Sequence, residues 1–129
     1  MTKRKTYLPA TDTTRTVDAT NRILGRLATE IAVALRGKDR AAFAPHKVVG
    51  DRVIVTNAQA VKVTGRKLTD KIYYTHSGYI GSLKAESLGD LMKRKPEEVI
   101  RRAVWGMLPS NRLRRELMRR LVIFPGEQE

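Results

Sequence analysis

The sequence predicts an α/β domain built around a mainly parallel sheet, and three observations carry that expectation. Strand-like runs near residues 15–18, 53–55 and 121–124 are separated by segments of helical period. Val53, Ile54 and Val55 are apolar without interruption, the pattern of a strand covered on both faces. Leu24, Leu27, Ile31 and Leu35 recur at steps of three and four, which gathers them on one face of a helix.

Taken in order, Arg15, Thr16, Val17 and Asp18 make the first short strand. Thr20 or Asn21 is expected to cap the helix that follows, since either side chain can accept a free first-turn N–H. Gly37 ends that helix. Residues 38–51 have neither helical nor strand period and contain Lys38, Arg40, His46 and Lys47, so they read as a long basic loop; loops of this length in a small domain are usually functional. Val61 and Val63 predict a further short strand, closed by Gly65, and Ile72, Tyr73 and Tyr74 another that enters the loop THSGYIGS. The second half reads as helices. Ser87 and Asp90 resemble a capping box before Leu88, Leu91 and Met92. Pro96 fits the first position of the next helix, Glu97 and Glu98 favour its positive end, and Ile100, Val104 and Met107 face inward. Pro109 interrupts, Asn111 starts a last helix with Leu113, Leu117 and Leu121 on its inner side, and a final strand follows.

A chain of 129 residues fits one domain, expected over residues 14–125 between a basic tail (1–13) and a short acidic end (126–129). Lys and Arg number 26 against 13 Asp and Glu, a formal charge of +13. A compact chain with that surplus repels itself unless a polyanion neutralises it, and a nucleic acid is the natural partner. No stretch approaches the roughly 18 continuous apolar residues of a spanning helix, so no membrane is expected as partner. The absence of cysteine excludes disulfides, thiolate metal sites and cysteine nucleophiles. With 5% aromatic residues, a platform of successive stacked bases has little to work with, so phosphate contact and shape recognition fit better.

The charge is segregated. Residues 93–120 hold ten Lys and Arg against three Glu. Glu97 and Glu98 stand four residues before Arg101 and Arg102, which therefore read as helix support. Arg112, Arg114, Arg115, Arg119 and Arg120 have few carboxylates nearby, and guanidinium groups suit phosphate oxygens. Trp105, within a helix, reads as packing. Catalysis has little support: His46 and His76 are the only histidines and lack a partner in the sequence, and the segment at Gly37 and Lys38 fails as a phosphate-binding loop because Ala32 replaces its first glycine. No cofactor, metal or small-molecule substrate is expected.

Four segments together resemble one family, the universal large-subunit ribosomal protein thirteen of bacterial type: VDATNRILGRLATEIA from Val17, RGKDRAAFAPH from Arg36, VVGDRVIVTNAQAVKVTGRKLTDKIYYTHSGYIG from Val48, and PEEVIRRAVWGMLP from Pro96. The resemblance implies a three-layer α/β/α fold with a mostly parallel sheet of about four strands. It also implies a structural, non-enzymatic constituent of the large ribosomal subunit, located in the cytoplasm within the ribosome. Such a protein binds large-subunit ribosomal RNA, adjoins neighbouring large-subunit proteins and supports assembly. It places RNA contacts in three groups: Lys38, Arg40, His46 and Lys47; Arg66, Lys67, Lys71, His76 and Tyr79; and Arg112, Arg114, Arg115 and Arg119. Arg114 departs from the family, which often has Gly there, and the family's aromatic before the first strand is replaced by Thr14 or Arg15. A free RNA-binding regulator or assembly factor, and a phosphate-substrate enzyme using the basic loops, are the two alternatives.

Overall fold

A computed structural model describes residues 13–127; the expected basic tail, except Thr13, lies outside them. Its elements are β1 (Thr14–Asp18), α1 (Leu24–Arg36), β2 (Arg52–Thr56), a 3-10 turn (Ala58–Ala60), α2 (Lys67–Asp70), β3 (Ile72–His76), β4 (Leu83–Ser87), α3 (Leu88–Arg94), α4 (Pro96–Met107), α5 (Leu113–Arg119) and β5 (Leu121–Ile123).

The α/β class holds. A parallel sheet runs in the order β1-β2-β5, with Val17 beside Val55 and Val55 beside Ile123. The uninterrupted apolar run forms its central strand, and Val53 and Val55 are fully buried. This sheet has three strands where about four were expected. The fourth shrinks to one parallel bridge between Ile23 and Lys62. Only Val61 and Val63 carry apolar alternation there, and Gly65, in the left-handed region at φ 67°, turns the chain away.

The apolar face of α1 (Leu27, Ile31, Leu35) is buried together with Ile100 and Val104 of α4, Leu117 of α5 and the sheet's valines, forming the main core. Area removed from water drives this packing at roughly 25 cal/mol per Å². Leu88, Leu91 and Val99 make a smaller second core, against which Val63, Tyr73 and Met92 pack half-buried. Met107, expected to face inward, is exposed.

Helix ends follow local chemistry with one correction. Gly37 closes α1 at φ 74°, its N–H donating to the carbonyls of Val33 and Ala34. The start of α1 has no side-chain cap, because the Ile23–Lys62 bridge keeps the chain extended up to Leu24. Thr20 and Asn21 lie earlier, in a turn where the Thr20 N–H and hydroxyl donate to Asp18. Ser87 does cap α3, accepting from the Asp90 N–H at 3.2 Å, while its hydroxyl donates to the Asp90 carboxylate at 2.7 Å.

β3 and β4 form a separate antiparallel hairpin, with Ile72 opposite Ser87 and His76 opposite Leu83. Sequence reasoning found β3 and missed α2 and β4. The alternation of Leu83 and Ala85 with Lys84 and Glu86 is the signal that marks β4.

Candidate nucleic-acid interface

Residues 37–51 form no helix or strand, and their two ends are tied to the sheet edge. Asp51 is the tie. Its side chain is 4% exposed, and a carboxylate taken that far from water requires charged partners. It has two: Arg15 at 2.9 Å and Arg40, with the Thr13 hydroxyl donating as well. Arg15 also meets Asp39 at 2.8 Å, and this hydrogen bond is the main cause of its raised pKa. Arg40 is therefore held inside the loop's anchor, whereas Lys38, His46 and Lys47 are exposed and have no side-chain partner among the described residues. Next to Asp51, Gly50 lies so close to α1 that a Cβ there would stand 1.9 Å from the Leu35 carbonyl oxygen. Sequence reasoning missed both Asp51 and Gly50.

Lys67 and Lys71, from α2 and the start of the hairpin, line a cleft with Arg102, Gly106 and the first turn of α1. Two cations approach the Tyr73 ring, Lys71 at 5.5 Å and Arg102 at 4.9 Å from its centroid. Burial raises the pKa of its hydroxyl, and the charge of Arg102 acts the other way. Arg102 also pairs with Glu98 at 3.2 Å, as the spacing predicts. The matching pair of Glu97 with Arg101 does not form, so Arg101 is exposed without a partner among the described residues. Arg66 begins the α2 turn and is exposed. His76 and Tyr79 lie beyond, one strand length or roughly 16 Å along the hairpin. The Gly78 N–H donates to Nδ1 of His76 at 2.9 Å.

Arg112, Arg115 and Arg119 on and before α5 are exposed, and no carboxylate among the described residues engages them. Arg114 behaves differently. Its guanidinium lies 4.1 Å from the ring centroid of Trp105, and its Nη1 donates to the Trp105 carbonyl at 3.4 Å. Trp105, read from sequence as packing, is 39% exposed on the end of α4.

The three groups adjoin. A narrow cleft brings Phe43, Pro45 and Lys47 of the basic loop against Pro109, Asn111 and Leu113. The end of α4 then separates the arginine group, beside Trp105, from the Lys67 and Lys71 cleft, beside Gly106 and Met107. His76 and Tyr79 lie at the hairpin tip, and Lys38, His46, Arg66 and Arg119 line none of these three clefts. Among the described residues no three His, Asp or Glu side chains gather as a metal site, and no helix is long and apolar enough to cross a membrane.

A small α/β frame that carries, across two loops and a helix, Lys and Arg without carboxylate partners among the described residues defines a polyanion-binding protein suited to a folded phosphate backbone. Known proteins narrow this class. The family model described as Ribosomal protein L13 matches residues 12–129. The chain is 51% identical over 112 residues to the large ribosomal subunit protein uL13 of Chlorobium phaeobacteroides, covering 87% of this chain and 75% of that one. It is 54% identical over 110 residues to that of Pelobacter propionicus (85% and 78%), and 53% identical over 112 residues to that of Nitratidesulfovibrio vulgaris (87% and 78%). The chain belongs to the ribosomal protein L13 family.

Proposed function

We propose that the band of basic residues around the end of α4 is the surface through which this chain holds large-subunit ribosomal RNA. As a member of its family the chain is a structural, non-enzymatic constituent of the large ribosomal subunit, with ribosomal RNA and neighbouring ribosomal proteins as partners. The reading takes residues 14–125 as one RNA-binding domain. Its contacts are Lys38, His46 and Lys47 from the loop, Arg66, Lys67 and Lys71 beside α2, and Arg112, Arg114, Arg115 and Arg119 from α5, with His76 and Tyr79 reaching further out. Arg40 belongs to it chiefly by fixing the loop.

The observation that carries this reading is the cleft that sets Lys47 of the basic loop against Asn111 and Leu113, on either side of Arg112, with no carboxylate among the described residues that line it. Each phosphate neutralised there releases counterions, so affinity comes from charge. Specificity comes from shape, because side chains do not enter the deep, narrow major groove of an A-form helix.

Binding of the full chain to folded large-subunit ribosomal RNA and to the same RNA unfolded by removal of magnesium tests it. Tighter binding to the folded RNA is expected. Equal affinity for both would overturn recognition by shape.

A further inference from the structure

We infer that the cleft beside Trp105 takes one unpaired RNA base, stacked on the Trp105–Arg114 pair with its phosphate on Arg112 and Arg115. This rests on the RNA-binding reading above and names a ligand for part of that surface.

Four observations lead there. Trp105 is the sole tryptophan of the chain and is left 39% exposed, so core packing does not account for it. Arg114 covers its ring at 4.1 Å, its side chain held by the bond from Nη1 to the Trp105 carbonyl and its main chain by the Asn111 side chain, which accepts from the Arg114 backbone N–H at 3.1 Å. A flat surface that is already ordered loses little entropy when a ligand stacks on it. The cleft measures about 630 Å³ and is lined by Trp105, Ser110, Asn111, Arg112, Arg114 and Arg115, within the ~300–1,000 Å³ usual for small-molecule sites. Its polar groups match a nucleotide. Among the described residues nothing takes the Asn111 amide hydrogens or the Ser110 hydroxyl, which stay available for a base edge, and no carboxylate pairs with Arg112 or Arg115 that a phosphate would have to displace.

The other cation–ring pairs lack this combination. Phe43 lies 5.4 Å from Arg36, and Tyr73 packs against the second core. Bases within a duplex already have both faces covered, so only a splayed base can use the platform. Stacking tolerates every base type, because each has a π-face.

The single tryptophan makes the test direct. The full chain is titrated with adenosine 5′-monophosphate, ribose 5-phosphate, a labelled single-stranded oligoribonucleotide and a blunt duplex, following Trp105 fluorescence and the label's anisotropy. Saturable quenching is expected with the monophosphate and the single strand. Ribose 5-phosphate and the duplex should leave Trp105 unquenched. Affinity for the single strand should fall about 5- to 150-fold in Trp105→Ala, the range for loss of one stacked base, and recover in part in Trp105→Phe. Arg114→Lys keeps the charge and loses the plane, so it should weaken binding with an unchanged salt slope. Equal quenching by ribose 5-phosphate, or wild-type affinity in Trp105→Ala, would overturn the base site. If the wild-type chain bound neither folded nor single-stranded RNA, the RNA-binding reading would fall with it.

Discussion

Asp51 shows how one residue divides the basic loop into structure and surface. Its carboxylate holds Arg15 and Arg40, so Asp51→Ala leaves two cations facing each other at the sheet edge. Breaking a buried pair costs about 3–5 kcal/mol; with both arginines partly exposed, a loss of about 1–3 kcal/mol is expected in urea unfolding. Arg40→Ala should accordingly lower stability, whereas Lys47→Ala should weaken RNA binding and leave the unfolding midpoint in place. Gly50→Ala is more severe, since the added methyl meets the Leu35 carbonyl, and a loss of about 3 kcal/mol or more is expected in the same measurement. Asp18 supplies a pH dependence. Its pKa is lowered from the ordinary 3.8, first by the Thr20 N–H and then by Asn57 and the Thr20 hydroxyl. Its contribution to stability is thus complete above 3.8 and lost as the pH falls through the lower folded value. Acid titration of wild type against Asp18→Asn reads this as a difference that vanishes at the lowest pH. None of these roles was legible in the sequence. Asp51 and Gly50 look like ordinary loop residues there, and what makes them special is packing and pairing across 15 to 70 positions of chain, with Leu35, Arg15 and Arg120.

At the scale of elements the periodic signals were faithful where packing follows period. The α1 face, the central apolar strand and the Pro96 start of α4 all stand where spacing puts them. The signals failed where tertiary structure overrides local preference. Thr20 and Asn21 are good capping residues, yet the Ile23–Lys62 bridge starts the helix later; β4 is polar and exposed, so its alternation is weak. The three basic groups were visible as charge, but their adjacency needed the fold, and Arg101 and Trp105 were set aside because helical spacing alone gives each a structural role. Arg112, Arg115 and Arg119, without a carboxylate partner among the described residues, stand on α5 and its approach. Changing Arg112, Arg115 and Arg119 together to Ala should leave the fold intact and lower the slope of log affinity on log salt by about 0.7–0.9 for each phosphate no longer neutralised. An unchanged slope would mean that these arginines only face solvent.

For the whole molecule, the three-stranded sheet and the α1–α4 packing form a frame whose work is to bring two loops and a helix to one end. The surplus of 13 positive charges is then no longer diffuse, since several arginines are tied up in pairs with Asp51, Glu30, Glu86 and Glu98, while Arg112, Arg115 and Arg119 have no such pair among the described residues. A protein built this way is completed by its RNA, so its charge should hold it within the assembled particle. Sedimentation of a cell extract through a density gradient after a high-salt wash tests that most directly. The chain is expected in the large-subunit fraction at one copy per particle; its recovery only in the light fractions would show that it is not held there.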